Sequence, residues 1–252
     1  MKGVWLEDLT WPEAAARFKA GATVVVPIGA RAKEHGHHLP LKTDYMMARA
    51  LCDGIAHELP VVIAPVIDFG YYPAFTDYPG SQHLSAATFI ALIEEVVGGF
   101  VAQGVRKIAI VNTGVSTEGP VQIAARAVQE KHGVQIAVAD VRRLGKSSGH
   151  ILEQKLGGHG DEHETSIILA VDPGVVRMDL ARRDYGNMES EPPSVFYRPV
   201  RFSADPASGT NYTETGVRGD PTLASAEKGR VILAAMTADL VEGLRALGAD
   251  SA

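Results

Sequence analysis

Four short apolar runs, rich in β-branched residues and separated by longer amphipathic segments, constrain the fold of this chain more than any other feature. They are Ala22 to Gly29 (ATVVVPIG), Leu59 to Val66 (LPVVIAPV), Lys107 to Asn112 (KIAIVN) and Val134 to Val141 (VQIAVADV). None alternates apolar with polar residues, so each reads as a strand buried on both faces. The segments between them carry helix signals. Thr10 can cap a helix that opens with Trp11, Pro12 and Glu13; Asp44 to Leu59 is helical in pattern; Ser85 caps Ala86 to Gly104; and Val121 to Gly133 follows the third run. Strands joined by helical crossovers form a parallel sheet, so the expected fold is α/β: a three-layer α/β/α arrangement around a mainly parallel central sheet.

The pattern then becomes less regular. His150 to Gly157 reads as a short helix, and His163 to Pro173, ambiguous between helix and strand, leans to a helix stopped by its proline. Thr222 to Leu247 closes the chain with a long helix. Val175 to Gly219 is polar and spotted with proline and glycine, which suits a cover over a site or a contact between subunits. No linker or repeat divides the sequence, so residues 1–252 are expected to form one domain.

Composition removes several classes of function. The 252 residues hold 24 Lys and Arg against 30 Asp and Glu, a formal charge of −6, without the basic surface that nucleic acids require. The single cysteine, Cys52, rules out an intrachain disulfide framework and a thiolate-rich metal site. No run approaches the roughly 18 apolar residues of a membrane span, and the acidic Glu7 and Asp8 break up the start where a secretion signal is apolar. The expected compartment is the cytoplasm.

The chemistry gathers after the first strand. Glu34, His35, His37, His38 and Asp44 fall within eleven residues, with Gly36 available for a tight bend. Loops at the carboxyl ends of parallel strands are where such sheets bind ligands. Imidazole and carboxylate together suit Zn²⁺, Mn²⁺ or Fe²⁺. The plainer alternative is a polar loop whose histidines bond to backbone and whose Asp44 merely caps a helix.

A second cluster runs from Gly157 to Ser166 and holds His159, Asp161, Glu162, His163 and Glu164. There His159 can act as acid or base, or the whole loop can be a solvated acidic helix cap. A third candidate is Val111 to Gly119 (VNTGVSTEG), whose turn can offer N–H groups to an oxyanion. Its Glu118 equally suits the first turn of the next helix, and Ser116 lacks the spacing of a nucleophile elbow. His83 lies where it can close over a site.

These stretches resemble the creatininase (creatinine amidohydrolase) family. PIGARAKEHGHHLPLKTD is similar to the family's Gly-Ser-x-Glu-Gln-His-Gly-Pro-His-Leu-Pro-Leu-x-Thr-Asp run. YPGSQHLSAATF, KIAIVNTG, GGHGDEHETS and GVRGDPTLASAEKGR continue the resemblance in the family's order over most of the chain. The resemblance implies a metal-dependent amidohydrolase, commonly with two divalent ions and assembled as a homo-oligomer, often a hexamer. It matches His35 to a metal-binding His, Asp44 to a bridging Asp, His159 to the His that handles substrate or protons, and Glu164 to the Glu before Thr-Ser.

Two departures stand out. Lys33 occupies the position of the family's metal-binding Glu, which leaves Glu34 as the nearest carboxylate. Gly114 occupies the position of a metal-binding His. The expected metal ligands are therefore Glu34, His35, Asp44, His37, Glu164 and Glu118, holding one or two ions of Zn, Mn or Fe. The expected catalytic groups are His159, Glu164 and Glu162, with His38 as loop support.

The expected reaction is hydrolysis of the C–N bond of a small cyclic or linear amide by metal-activated water, with an oxyanion received by the Asn112 to Ser116 turn. The alternatives are a non-catalytic metal- or ligand-binding oligomer with a degenerate site, and a metal-dependent enzyme of another reaction class. Expected partners are a small-molecule amide and further copies of the chain, with no nucleic acid and no membrane.

Overall fold

The computed structural model describes residues 2–186, 200–208 and 212–250. Its centre is a five-stranded, wholly parallel sheet formed by β1 (Val4–Trp5), β2 (Val24–Ile28), β3 (Val62–Ile63), β4 (Ile108–Asn112) and β5 (Ile136–Asp140). The strand order is β1-β3-β2-β4-β5, and β2 runs in register with β4 from Val24↔Ile108 to Ile28↔Asn112.

The helices are α1 (Trp11–Lys19), α2 (Thr43–Glu58), α3 (Ala86–Ala102), α4 (Glu118–His132), α5 (Glu162–Val171) and α6 (Ala226–Ala246). Side chains alternate across the strands, so the sheet feeds two cores. Val25, Ala109 and Val111 pack with apolar residues of α2, α5 and α6, among them Leu51, Ile167 and Ile232. Val24, Val26, Ile108 and Ile110 pack on the other face with Phe89 and Ile93 of α3 and Val121 and Val128 of α4. The three layers expected from the sequence are present. Among the described residues no helix is long and apolar enough to cross a membrane.

Several local expectations change. β1 lies outside every run singled out in the sequence. β3 keeps only the middle of LPVVIAPV: Val62 and Ala64 donate to Thr23, just before β2, and to Val25 within it, and Pro65, which has no N–H, ends the ladder. The helix expected over residues 150–157 is instead a 3-10 helix at Lys146–Ile151, and beyond it the backbone N–H groups of Glu153 and Gln154 turn inward to the Glu162 carboxylate.

The fold brings the two histidine segments together. The loop after β2 crosses the carboxyl end of the sheet and runs into α2. Gly29 allows that helix to sit directly on the strand end: a Cβ there would lie 2.4 Å from the Asp44 carbonyl oxygen. On the far side, α5 and α6 approach so closely at Gly229 that a Cβ would overlap the Ser166 carbonyl. That contact sets α5 with its N-terminus facing the β2 loop.

A candidate metal centre beneath a small cavity

Asp44 stands in the first turn of α2 and is almost completely buried. Its two carboxylate oxygens meet different partners. Oδ1 lies 2.9 Å from His35 Nε2, and Oδ2 accepts from Lys33 Nζ at 2.8 Å. Lys33 is itself 6% exposed. The loop holding these groups is fixed from outside, since Ser81 Oγ receives the Glu34 N–H and the Ala32 carbonyl receives the Gln82 N–H. Gly36 turns at φ 79° beneath Val217, a conformation that favours glycine.

The second half comes from the N-terminus of α5. Asp161 caps it, accepting from the Glu164 N–H at 3.0 Å. His159 precedes the cap, and its Nε2 faces two acceptors, Glu34 Oε1 at 2.7 Å and the Glu34 carbonyl at 2.9 Å. Glu164 accepts from the Gly160 N–H at 2.6 Å. The same Glu164 oxygen, Oε2, lies 3.9 Å from His159 Nδ1. The rings of His35 and His159 sit 4.6 Å apart, and donor atoms of His35, His159 and Glu164 all lie within 4.8 Å of one another.

The ring hydrogens decide what this arrangement fits. His35 Nδ1 lies 3.0 Å from the Lys33 carbonyl, which can only accept, so Nδ1 carries a hydrogen. In a neutral ring Nε2 then aims a lone pair at Asp44. By the same reasoning His159 Nε2 carries a hydrogen toward Glu34, which leaves Nδ1, on the Glu164 side, as the nitrogen that gains or loses a proton. Donor atoms of His35, His159 and Glu164 gather within 4.8 Å of one another, with Asp44 beside His35, and together they form a seat for a cation. Each ring is oriented from behind by an acceptor, as metal-bound imidazoles are. The residues present therefore fit one divalent ion.

Electrostatics follow the contacts. Burial would raise the Asp44 carboxyl, but Lys33 and His35 outweigh it and hold Asp44 well below the usual carboxylate range. Burial likewise opposes ionisation of Glu34 and Glu164. His159 holds Glu34 down, and His35, His159 and Lys33 hold Glu164 down. Desolvation would lower His159, yet Glu34 beside it carries it above its ordinary value. Lys33 is raised because Asp44, Glu164 and Glu34 together overcome its burial.

A cavity of about 240 Å³ opens over the cluster, with Lys33, His159 and Glu164 on its floor and Phe75, Met47, Val115 and Leu144 among its walls. Phe75 packs on the His159 ring at 4.2 Å, and Phe202 packs on Phe75 at 5.1 Å. Thus the described part of the Val175 to Gly219 stretch does reach the site. The remainder of that stretch, residues 187–199 and 209–211, lies outside the described residues.

Not every expected residue joins the cluster. Glu34 does so indirectly, as the partner of His159. His37 is exposed on the loop and stands apart. Glu118 pairs with Arg142 at the cavity mouth and with Gln122. Glu162 points away from the cavity, where it accepts from the Glu153 and Gln154 N–H groups and from Lys228. His83 sits beside the rings of Tyr71 and Tyr72.

The Asn112 side chain closes its turn on Gly114 and Thr117. Asn112 Oδ1 accepts from the Gly114 N–H and the Thr117 hydroxyl, and a Cβ on Gly114 would lie 2.7 Å from that hydroxyl. Of the donors expected in the Asn112 to Ser116 turn, the Gly114 N–H is therefore already used, whereas Val115 and Ser116 line the cavity. His38 does support the loop, with Nε2 2.8 Å from Thr165 Oγ1 and a buried Nδ1 that has no partner. Sequence reasoning missed Phe75 and the inward placement of Lys33. The Lys33 substitution was visible, but its direction was not.

Comparison with known proteins agrees with this geometry. The family model for creatinine amidohydrolase (Creatininase) matches residues 7–244. The creatinine amidohydrolase of Pseudomonas putida is 25% identical, with 97% of each chain covered. The mycofactocin precursor peptide peptidase of Mycobacterium tuberculosis is 31% identical over 87% of this chain and 83% of its own. Among solved structures, a manganese form of creatininase superposes with a TM-score of 0.81 at 25% identity, covering 97% of this chain and 98% of its own.

Proposed function

The chain belongs to the creatinine amidohydrolase (creatininase) family, and from that premise we propose that it is a metal-dependent hydrolase of the C–N bond in a small cyclic or linear amide. The observation that carries the reading is the cation seat beneath the cavity, where donor atoms of His35, His159 and Glu164 lie within 4.8 Å of one another and Asp44 Oδ1 stands 2.9 Å from His35. His35, Asp44 and Glu164 would hold the ion, of Zn, Mn or Fe. When bound, such an ion supplies Lewis acidity, polarising a carbonyl oxygen and making water more acidic.

The side chains do the rest. Glu34 fixes the Nε2–H of His159 and so leaves Nδ1 to carry a proton from the attacking water to the leaving nitrogen. Phe75 and its apolar neighbours give a wall for a compact substrate, and a cavity of about 240 Å³ suits a small molecule. Assembly into a homo-oligomer, a hexamer by the family resemblance, belongs to the same proposal and is checked by light scattering.

The test is turnover of a panel of lactams, formamides and ureido compounds by purified protein, with and without a chelator. Turnover lost on chelation and restored by Zn²⁺ or Mn²⁺ is expected. A metal-binding protein without catalysis would turn over none of them. Asp44→Asn should lose both metal and turnover, whereas His159→Ala should keep metal and lose turnover. Loss of metal in His159→Ala would reassign that ring as a ligand. Cleavage of a peptide is the second reading, supported by the mycofactocin precursor peptide peptidase, which shares 31% identity. A short peptide in the same panel decides between them.

A further inference from the structure

The family position that holds a carboxylate in the resemblance holds Lys33 here, and the structure gives that lysine an unusual place. Its ammonium is not turned out to solvent, as lysines ordinarily are. It is buried, bonded to Asp44 Oδ2 at 2.8 Å, and set 5.0 Å from the centre of the Phe75 ring on the cavity floor. The opposite oxygen of the same carboxylate faces His35 and the cation seat. Asp44 thus has one oxygen toward the seat and the other toward a fixed positive charge.

Charge and space both speak against a second ion. Glu34, Asp44 and Glu164 are three carboxylates, and Lys33 is one ammonium. With His35 neutral, as ligation requires, and His159 neutral in the form that accepts a proton, two negative charges remain, which one divalent ion balances. Nearby Arg142 is engaged by Glu118 and Asp140, and Glu162 by Lys228, while Asp161 is turned to the Gly158 and Glu164 N–H groups and the Gln154 amide, and burial beside Glu164 pushes its carboxyl up, toward the neutral form. The space left among Lys33, Asp44, Asn112 and Gly114 is about 10 Å³, room for about one water molecule. The turn there has closed, with the Thr117 hydroxyl filling the place a side chain at position 114 would need.

We infer that Lys33 takes the place of a second metal ion: the centre binds a single divalent cation, and the Lys33 ammonium is the second electrophile, binding the carbonyl oxygen of the substrate as negative charge develops on it. Lys33 forms and breaks no covalent bond and keeps its proton. Water adds to the carbonyl carbon, the C–N bond breaks, and the proton released by water goes to the leaving nitrogen, while the ammonium contributes charge alone. This inference rests on the metal-dependent hydrolase reading above and assigns to one residue the role expected earlier of the Asn112 turn.

The experiment uses the full chain, stripped with a chelator, reloaded with Zn²⁺ or Mn²⁺ alone, dialysed and analysed for metal per chain. Wild type should hold one ion. Lys33→Glu, which adds a carboxylate beside Asp44, should rise above one. Lys33→Met should still hold one ion while its turnover falls about 100-fold, the usual cost of removing one oxyanion donor. Two ions in the wild type, or undiminished turnover in Lys33→Met, would overturn the inference and leave the hydrolase reading intact. No ion in the wild type, with turnover indifferent to chelation, would instead defeat the metal-dependent reading. If Lys33→Met does not fold, Lys33→Arg serves in its place: it keeps the charge and should hold one ion, and two ions would be equally fatal.

Discussion

The pair Lys228–Glu162 offers the sharpest separation of structural from chemical roles in this molecule. Glu162 is fully buried at the start of α5, and Lys228 reaches it from the first turn of α6 with its side chain 17% exposed. Lys228→Met keeps the aliphatic stem and removes the charge. Glu162 then retains two backbone N–H donors, from Glu153 and Gln154 at 2.8 to 3.1 Å, but no counter-ion. Breaking a buried pair by deleting one partner costs about 3–5 kcal/mol. The partial exposure of Lys228 and the surviving hydrogen bonds place this case near the lower end, at about 3 kcal/mol.

For a chain of this size that is a fall in Tm of roughly 6–12 °C. Urea unfolding followed by circular dichroism should give a lower midpoint with an unchanged slope. Adding Glu162→Gln to Lys228→Met removes the stranded charge, so the double variant should be less damaged than the two single losses summed. Glu162→Gln alone should turn over substrate within about threefold of wild type, because its side chain faces away from the cavity. A loss below about 1 kcal/mol in Lys228→Met would refute the ion-pair argument. A folded Glu162→Gln with turnover reduced 100-fold would return Glu162 to the chemistry.

Other outcomes follow from the same structure. His38 is a neutral, buried ring whose pKa is pushed from 6.5 down to about 4 by desolvation, with His35 adding to the effect. The unfolded chain takes up a proton below about pH 6.5 and the folded chain does not until about pH 4. Stability should therefore fall across that window by about 3 kcal/mol, and the difference from His38→Gln in urea midpoints at pH 7 and pH 4.5 isolates it. Zn²⁺ at a hundredfold its Kd should stabilise the stripped protein by about 2.7 kcal/mol, read as a rise in Tm that Asp44→Asn abolishes. Gly29→Ala should cost about 1–3 kcal/mol by forcing α2 off the end of β2, and its metal affinity should drop with stability because Asp44 moves with that helix.

The sheet was legible because four of its strands announce themselves as unbroken β-branched runs. β1 was not, since Val4 and Trp5 are two residues in a polar neighbourhood, and their strand character comes only from pairing with β3. In the site, His35, Asp44, His159 and Glu164 could be read from segment and type. Neighbouring candidates failed for reasons of direction. Glu162 and Glu164 lie two apart on a helix, hence about 200° apart around its axis, and cannot both face the cavity. His37 and His35 are separated by the turn at Gly36 and part in the same way. Lys33 posed a different difficulty. Spacing reports that a lysine stands near an aspartate, but burial decides whether it is a solvated surface charge or an internal cation.

The contacts between Glu34 and His159, and between His38 and Thr165, join positions separated by 125 and 127 residues. The centre is thus also a clasp, fastening the loop after the second strand to the start of α5. Whatever fills the seat between His35, Asp44 and Glu164 acts as a removable cross-link around a loop of that length. Its hold on the folded state then grows only with the logarithm of the chain enclosed. Lengthening the surface segments between the two halves would therefore leave the clasp nearly as strong, and the cavity walls they supply can be rebuilt for new substrates without loosening the centre beneath them.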